Sequence, residues 1–321
     1  MTESTLPDLQ TIQDAEARIR RHLPETPALT VTDLDTLIEG RLWLKLESLQ
    51  RTGSFKVRGA LNWVLSADED ELRNGLVTVS AGNHALALAW AAAQRKTHLT
   101  VVMPEGSSPL KIQRTEALGA EVIVRGKIQE AVAHCHKLRD EQGLTLVHPY
   151  NDPRVMAGQG TVGLELLRQC PDMKRVICPI GGGGLISGLG LALKAERPDV
   201  ELIGAEPEGA ATMRNAWDQN DADAALEKVD TWAASLAPAV VGNHTFAATR
   251  QVVDHIVTVS EAGIRQATRH LLSDAHLFVE PGASVGLAAL LENKAAFTPE
   301  QTVLVITGAN LDLDQVMRCT A

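Results

Sequence analysis

Short apolar runs that alternate with amphipathic stretches dominate what this chain can fold into. Residues 76–80, 99–103, 121–124 and 145–148 are compact apolar runs. The segments between them, near 83–95, 108–118 and 127–142, are rich in Ala, Leu, Gln and Lys and have turn residues at their ends. The first set reads as strands and the second as helices. The same rhythm resumes at 175–178, 200–205, 255–259 and 302–307, and Leu42-Trp43-Leu44-Lys45-Leu46-Glu47 alternates with the period of two expected of a strand. Strands separated by helices indicate parallel sheets covered on both faces, an α/β fold. A first helix is expected over about 8–22, outside the sheet, ended by Pro24 and Pro27. With 321 residues the chain exceeds the usual size of one core, so two domains or one large α/β unit are expected. No Pro/Gly/Ser-rich linker divides it, and the polar, acidic stretch 218–230 reads as an exposed connection. Any two domains must therefore share crossovers and sit close together.

Composition narrows the partners. A net charge of −10 argues against nucleic acid and anionic membranes, and obliges any anionic cofactor to find a local binding device. The N-terminal decapeptide is polar and acidic, without the pattern of a signal peptide, and the apolar stretch 86–93 is too short to span a bilayer. Cys135, Cys170, Cys178 and Cys319 are scattered and form no C-x-x-C pair, which fits reduced thiols in the cytoplasm better than zinc or disulfides.

Four motifs carry chemistry. Gly181-Gly182-Gly183-Gly184 follows the strand 175–178 and precedes a helical run over 185–197. Such a run lets the backbone turn several amides toward an anion at a helix N-terminus, a phosphate cup that needs no basic surface. Leu185-Ile186 replaces the Lys-Ser/Thr of a P-loop, and Ser187 falls where a dinucleotide fingerprint wants its third glycine, so both nucleotide readings are weak. In Gly53-Ser54-Phe55-Lys56-Val57-Arg58-Gly59-Ala60, Ser54 is placed to N-cap a helix starting at Phe55 or Lys56. A lysine in a first helical turn faces an unfavourable dipole, which with burial lowers its pKa and favours imine chemistry. The alternative is a solvated lysine. Ser80-Ala81-Gly82-Asn83-His84 ends the strand 76–80 and suits a carboxylate, or else is a plain helix cap by Asn83 or Ser80; His84 by itself reads as structural. Thr307-Gly308-Ala309-Asn310 ends the last strand, as a ligand contact or an ordinary turn.

In this order the motifs resemble the serine/threonine dehydratase and serine racemase family of pyridoxal 5′-phosphate (PLP) enzymes, of fold type II. The matching stretches are 54–60, 80–85, 148–161, 181–184, 205–207, 280–281 and 307–310. The resemblance implies two domains, each with a mostly parallel twisted sheet flanked by helices: a PLP-binding domain of residues 1–74 and 151–321, and a small domain of 75–150. It implies Lys56 as Schiff-base lysine and Cα base, Phe55 against the pyridine ring, Asn83 on the 3′-oxygen, Gly181, Gly182, Gly183 and Gly184 as the phosphate cup, and Thr307 against the pyridine nitrogen. Ser80, Ala81, Gly82, Asn83 and His84 would hold the substrate carboxylate. The implied activity is dehydration and deamination of a 3-hydroxy L-amino acid to an α-keto acid and ammonia, by a cytoplasmic homodimer. A neutral hydroxyl at Thr307 moderates the electron sink and favours elimination over transamination.

Several residues depart from the family's pattern. Ala81 stands where racemases have a serine on the opposite cofactor face, so little racemisation is expected. The family's divalent-cation site (Mg²⁺ or Ca²⁺) is matched by Glu206 and Ala210, but Thr212 replaces an aspartate, which weakens it. Ala234-Ser235-Leu236 replaces a common Asp-Gly-Leu and Leu86-Ala87 a common Gln-Gly, which hints at a substrate such as phenylserine rather than plain threonine, unless the changes are neutral drift. Alternatives are a 3-hydroxyaspartate dehydratase, for which no extra arginine motif is obvious, a dehydratase of hydroxyectoine breakdown, a racemase, or a nucleotide-binding α/β protein without enzymatic activity. The chain stops soon after the Thr307 motif, so allosteric control through a C-terminal regulatory domain is not expected.

Overall fold

The computed structural model describes residues 6–312. Among them ten strands form two sheets: β1 (Ala28–Leu29), β2 (Leu42–Leu46), β3 (Leu76–Val79), β4 (Leu99–Met103), β5 (Glu121–Val124), β6 (Thr145–Leu146), β7 (Arg175–Pro179), β8 (Glu201–Pro207), β9 (His255–Val259) and β10 (Thr302–Ile306). The larger sheet has the order β1-β2-β10-β7-β8-β9 and the smaller β5-β4-β3-β6. Every pairing is parallel except that of the two-residue edge strand β1 with β2. The strands β4 and β10 are buried at all five positions, which is why they read as continuous apolar runs. The edge strand β5 keeps two of its four residues exposed.

The expected strands and helices are present with small shifts at their ends. The first helix is shorter than predicted, Leu9–Ile19, N-capped by Asp8 through the Thr11 amide. The alternation in β2 differs in meaning, because its polar positions do not face water. Lys45 is fully buried, as are Glu47 just beyond the strand, Arg58 and Glu165. Arg58 bonds Glu47 at 2.7 Å and Glu165 at 2.6 Å, and Lys45 bonds Glu165 at 2.5 Å. Two cations thus meet two anions, and the Thr26 hydroxyl and Gln169 amide satisfy further atoms of the cluster.

This cluster joins β2 to the helices Lys56–Ser66 and Pro153–Gln169. The two helices cross at glycines. A Cβ on Gly158 would stand 2.6 Å from both the Arg58 carbonyl oxygen and the Gly59 Cα, so only glycine permits the approach. The helix that begins at Lys56 is therefore fixed by close backbone packing and by a neutralised ionic core one turn away. Among the described residues no helix is long and apolar enough to cross a membrane.

Removing one member of a buried ion cluster strands the others without partners. Arg58→Met should lower the unfolding free energy by about 3–5 kcal/mol, measured by urea denaturation. Arg73→Ala, which breaks an exposed pair with Asp70, should leave the urea midpoint unchanged within error.

Candidate active site

The motifs gather at the carboxyl ends of parallel strands, where open α/β sheets bind their ligands. The glycine run follows β7, Thr307 follows β10, Ser80 follows β3, and Lys56 follows the turn beyond β2. Segments 52–55 and 307–310 clasp each other. The Phe55 amide donates to the Thr307 carbonyl at 3.2 Å, the Ala309 amide to the Gly53 carbonyl at 2.8 Å, and Ser54 bridges Gly308. Ser54 does not cap the helix as the sequence suggested. It is extended, Phe55 occupies the cap position, and the buried Ser54 hydroxyl meets no protein partner. The antiparallel bridge to Gly308 holds the Ser54 backbone in that extended form.

The Lys56 ammonium nitrogen donates to the Pro149 carbonyl at 2.8 Å and lies 5.3 Å from the centroid of the Phe55 ring. Burial pushes its pKa down to about 8, against the opposing charge of Glu280. Neighbouring histidines add no acidity at neutral pH. His84 is pushed down to about 3 and His148 to about 4, each chiefly by burial and then by the Lys56 charge. The His84 Nε2 lies 3.3 Å from the Val147 carbonyl, so what His84 can offer the 80–84 turn is its backbone amide. His148 Nδ1 accepts from the amides of Tyr150 and Asn151, which shapes the turn carrying Pro149.

That turn also links Lys56 to the glycine run. The chain's single tyrosine, Tyr150, lies over Gly182, where an added Cβ would meet the ring at 2.4 Å. Gly183 has φ +86°, the left-handed region that favours glycine, and precedes the helix Gly184–Glu196. The first amides of that helix have no carbonyl one turn back, so they face the run as free donors. The residues Gly181 to Gly184, the unpartnered Ser54 hydroxyl and the Lys56 amine, with its lowered pKa, together fit a phosphorylated aldehyde.

Asn83 settles between its two sequence readings. It opens the helix Asn83–Gln94, but its side chain does not cap it. Instead Nδ2 donates to Glu280 at 2.7 Å, and Oδ1 accepts from Asn310 at 2.7 Å. Ser80 accepts the Gly82 amide at 3.3 Å, and a Cβ placed on Gly82 would meet nothing within 4 Å. The 80–84 turn thus borders open space. Ala81 lies in the same turn, half-buried.

The cation site is not supported by its residues. The two carboxylate oxygens of Glu206 accept the amides of Met213 at 2.8 Å and Arg214 at 2.9 Å, and the Thr212 hydroxyl donates to the Pro238 carbonyl. Among the described residues no three metal-ligating side chains cluster. Glu206 therefore serves the N-terminus of the helix Thr212–Gln219, and with its carboxylate engaged by backbone amides and Thr212 in place of a second carboxylate, Glu206 and Ala210 do not fit a divalent cation.

Glu280 and Tyr150 lie in stretches that match the family and Ser235 in one that departs from it, but the sequence assigned none of the three a contact in the site. Glu280 is 5% exposed, and its pKa is raised by burial despite donors from Asn83 and Ser235. A glutamate directly before a proline, after an apolar residue, was the available signal. Tyr150 could have been singled out by the scarcity of aromatics.

The comparisons with known proteins agree with this geometry. The model of the family "Pyridoxal-phosphate dependent enzyme" matches residues 19–308. The chain is 38% identical over 311 residues to the L-threonine ammonia-lyase of Thermotoga maritima, covering 97% of this chain and 77% of that protein. The structure of maize serine racemase superposes with a TM-score of 0.92 at 33% identity, covering 98% of this chain and 97% of that one. The processed form of threonine deaminase isoform 2 from Solanum lycopersicum gives a TM-score of 0.91 at 33% identity, covering 98% and 89%. The fold and site define a PLP enzyme of fold type II, and the chain belongs to the pyridoxal-phosphate dependent enzyme family.

An amine must be neutral to attack an aldehyde. Uptake of PLP by cofactor-free protein should therefore accelerate roughly tenfold per pH unit up to a plateau with a midpoint near 8. Stopped-flow absorbance of the bound cofactor measures it. A rate still climbing at pH 10 would mark an ordinary exposed lysine.

Proposed function

We propose that the protein is a PLP-dependent ammonia-lyase that converts a 3-hydroxy L-amino acid, such as threonine, serine or phenylserine, to an α-keto acid and ammonia. The observation that carries this reading is a half-buried lysine whose amine is shifted to about 8 by desolvation, at the same sheet edge as the glycine run. The relatives named for threonine ammonia-lyase and threonine deaminase support it. We assign residues 1–74 and 151–321 to a cofactor domain and 75–150 to a small domain, in keeping with the membership of the two sheets. The proposal includes a cytoplasmic homodimer, on the family resemblance and, for the compartment, on the free thiols Cys135, Cys170 and Cys178; Cys319 lies outside the described residues.

When bound, PLP supplies an electron sink conjugated to the Cα of the amino acid. Gly181, Gly182, Gly183 and Gly184, with the N-terminal amides of the helix they begin, hold its phosphate. Phe55 would lie beside its ring, Asn83 would offer an N–H to its ring oxygen, and Thr307 would meet the pyridine nitrogen with a group that carries no charge. Ser80 and the backbone amides of residues 82–84 hold the substrate carboxylate in the open space over Gly82. Lys56, its pKa lowered to about 8, is the base that would take the Cα proton of the bound amino acid. Together the Cα proton and the β-hydroxyl would leave as one water, and hydrolysis of the remaining enamine would give the keto acid and ammonia. Ala81 brings no hydroxyl to deliver a proton from the other face, so elimination outruns racemisation.

The test is keto-acid release from L-threonine, L-serine, threo-phenylserine and threo-3-hydroxyaspartate, with and without EDTA or Mg²⁺. Turnover should appear with at least one of the first three, change less than twofold with chelator, exceed D-isomer formation at least tenfold, and vanish in Lys56→Ala together with the cofactor's visible band. A colourless protein, or racemisation as fast as ammonia release, would defeat the proposal.

A further inference from the structure

Asn310 takes no part in the reaction just described, yet it is 8% exposed and fully engaged at the site. Its Nδ2 donates to the Thr52 carbonyl and to Asn83 Oδ1, each at 2.7 Å. A carbonyl can only accept, so the amide of Asn310 has one admissible orientation. That forces Asn83 to present its oxygen to Asn310 and its nitrogen to Glu280, 2.7 Å away. The Glu280 carboxylate accepts from Ser235 as well. Both ends of the relay are acceptors, a backbone carbonyl and a carboxylate, and the donors between them run outward from Asn310. Among the described residues, the second N–H of Asn83 is left over for a further acceptor.

The anchor of this relay is built with some strain. Thr52 has φ 62° and Gly53 φ 73°, consecutive residues in the left-handed region, and the first is not a glycine. A Cβ on Gly53 would lie 2.8 Å from Asn310 Oδ1. The turn is held by the Ala309 amide on the Gly53 carbonyl, so Asn310 and the Thr52 carbonyl belong to one rigid clasp just before Lys56.

We propose that Asn310 is a positioning residue that fixes the rotational state of the Asn83 amide, so that an N–H and not an oxygen is offered to the anionic ring oxygen of the cofactor. The inference rests on the placement of PLP at Lys56 and Asn83 given above. A reversed Asn83 would set two oxygens against each other, both at Glu280 and at the cofactor, and would weaken cofactor binding and displace its protonation equilibrium.

Two variants of the PLP-loaded protein test it, Asn310→Asp and the double variant Asn310→Asp with Glu280→Gln. In the single variant an acceptor replaces the donor, so the Asn83 amide turns over and its oxygen confronts Glu280. In the double variant the glutamine can donate to that oxygen, so the hydrogen bond between residues 83 and 280 is restored while the amide stays reversed; the Thr52 carbonyl lacks its donor in both variants. Thermal stability should fall in the single variant and recover in part in the double. PLP affinity, by fluorescence titration, should be weakened tenfold or more in both, and the pH midpoint of the visible band should move in both. A purely structural role predicts that affinity and band recover together with stability in the double variant, which would overturn the proposal. So would a folded single variant with wild-type affinity and band. If the single variant fails to fold, the double variant alone decides by the same two readouts, and Asn310→Ala, which leaves room for water, replaces it should both fail. A wild-type protein that takes up no PLP would sink the cofactor placement itself and this inference with it, a result distinct from either of the others.

Discussion

A lysine amine held below the protein surface, with one backbone carbonyl as its acceptor, sets the terms for the rest of the site. Burying an ammonium costs free energy, and the site offsets only part of that cost. Glu280 is close enough to favour the charged form, but burial outweighs it and leaves Lys56 near 8. Keeping the amine there requires that it not swing out to water. The helix it begins is therefore locked twice, by the glycine crossing at Gly59 and Gly158 and by the Arg58 cluster one turn on. The cluster contains two buried cations and two buried anions, so it can sit close to Lys56 without imposing a net charge on it. The same helix thus carries one lysine poised to lose its proton and one arginine held permanently charged.

Much of this was legible in the sequence because it is local. The βα rhythm follows from periodicity, and β4 and β10 show why, since each is buried along its whole length. The glycine run announces itself, because four consecutive glycines serve little else than close backbone approach. Lys56 was identified through its neighbours, and its lowered pKa follows the sense of the argument from burial. What could not be read is what depends on contacts far apart in the chain. Lys45 looked like the polar face of an alternating strand and is instead paired with Glu165, 120 residues away. Glu280 meets Asn83 across 197 residues, and Asn310 meets Thr52 across 258. The expected Ser54 cap failed for the same reason: the bridge to Gly308 claims the backbone of Ser54 for a different conformation.

Two of the departures from the family pattern have different physical consequences. At Thr212 the hydroxyl that replaces an aspartate donates to the Pro238 carbonyl, and backbone amides at the start of the same helix engage the Glu206 carboxylate. At Ser235 the replacement introduces a hydroxyl that reaches Glu280, and a Cβ on Gly282 would lie 2.2 Å from it. The segment around Ser235 also lies against Gly181, so it borders the glycine run and the Asn83–Glu280 pair at once. Ser235 thus touches both the glycine run and the hydrogen-bonded group that orients Asn83.

The central claim is that one particular lysine among the chain's cations bonds the cofactor, and covalent trapping tests it most directly. Borohydride reduction of the PLP-loaded protein, followed by proteolysis and mass mapping, should place a phosphopyridoxyl group on Lys56 in near-stoichiometric yield. A label on Lys111 or another lysine, or no label on a protein that nevertheless releases keto acid, would contradict the account.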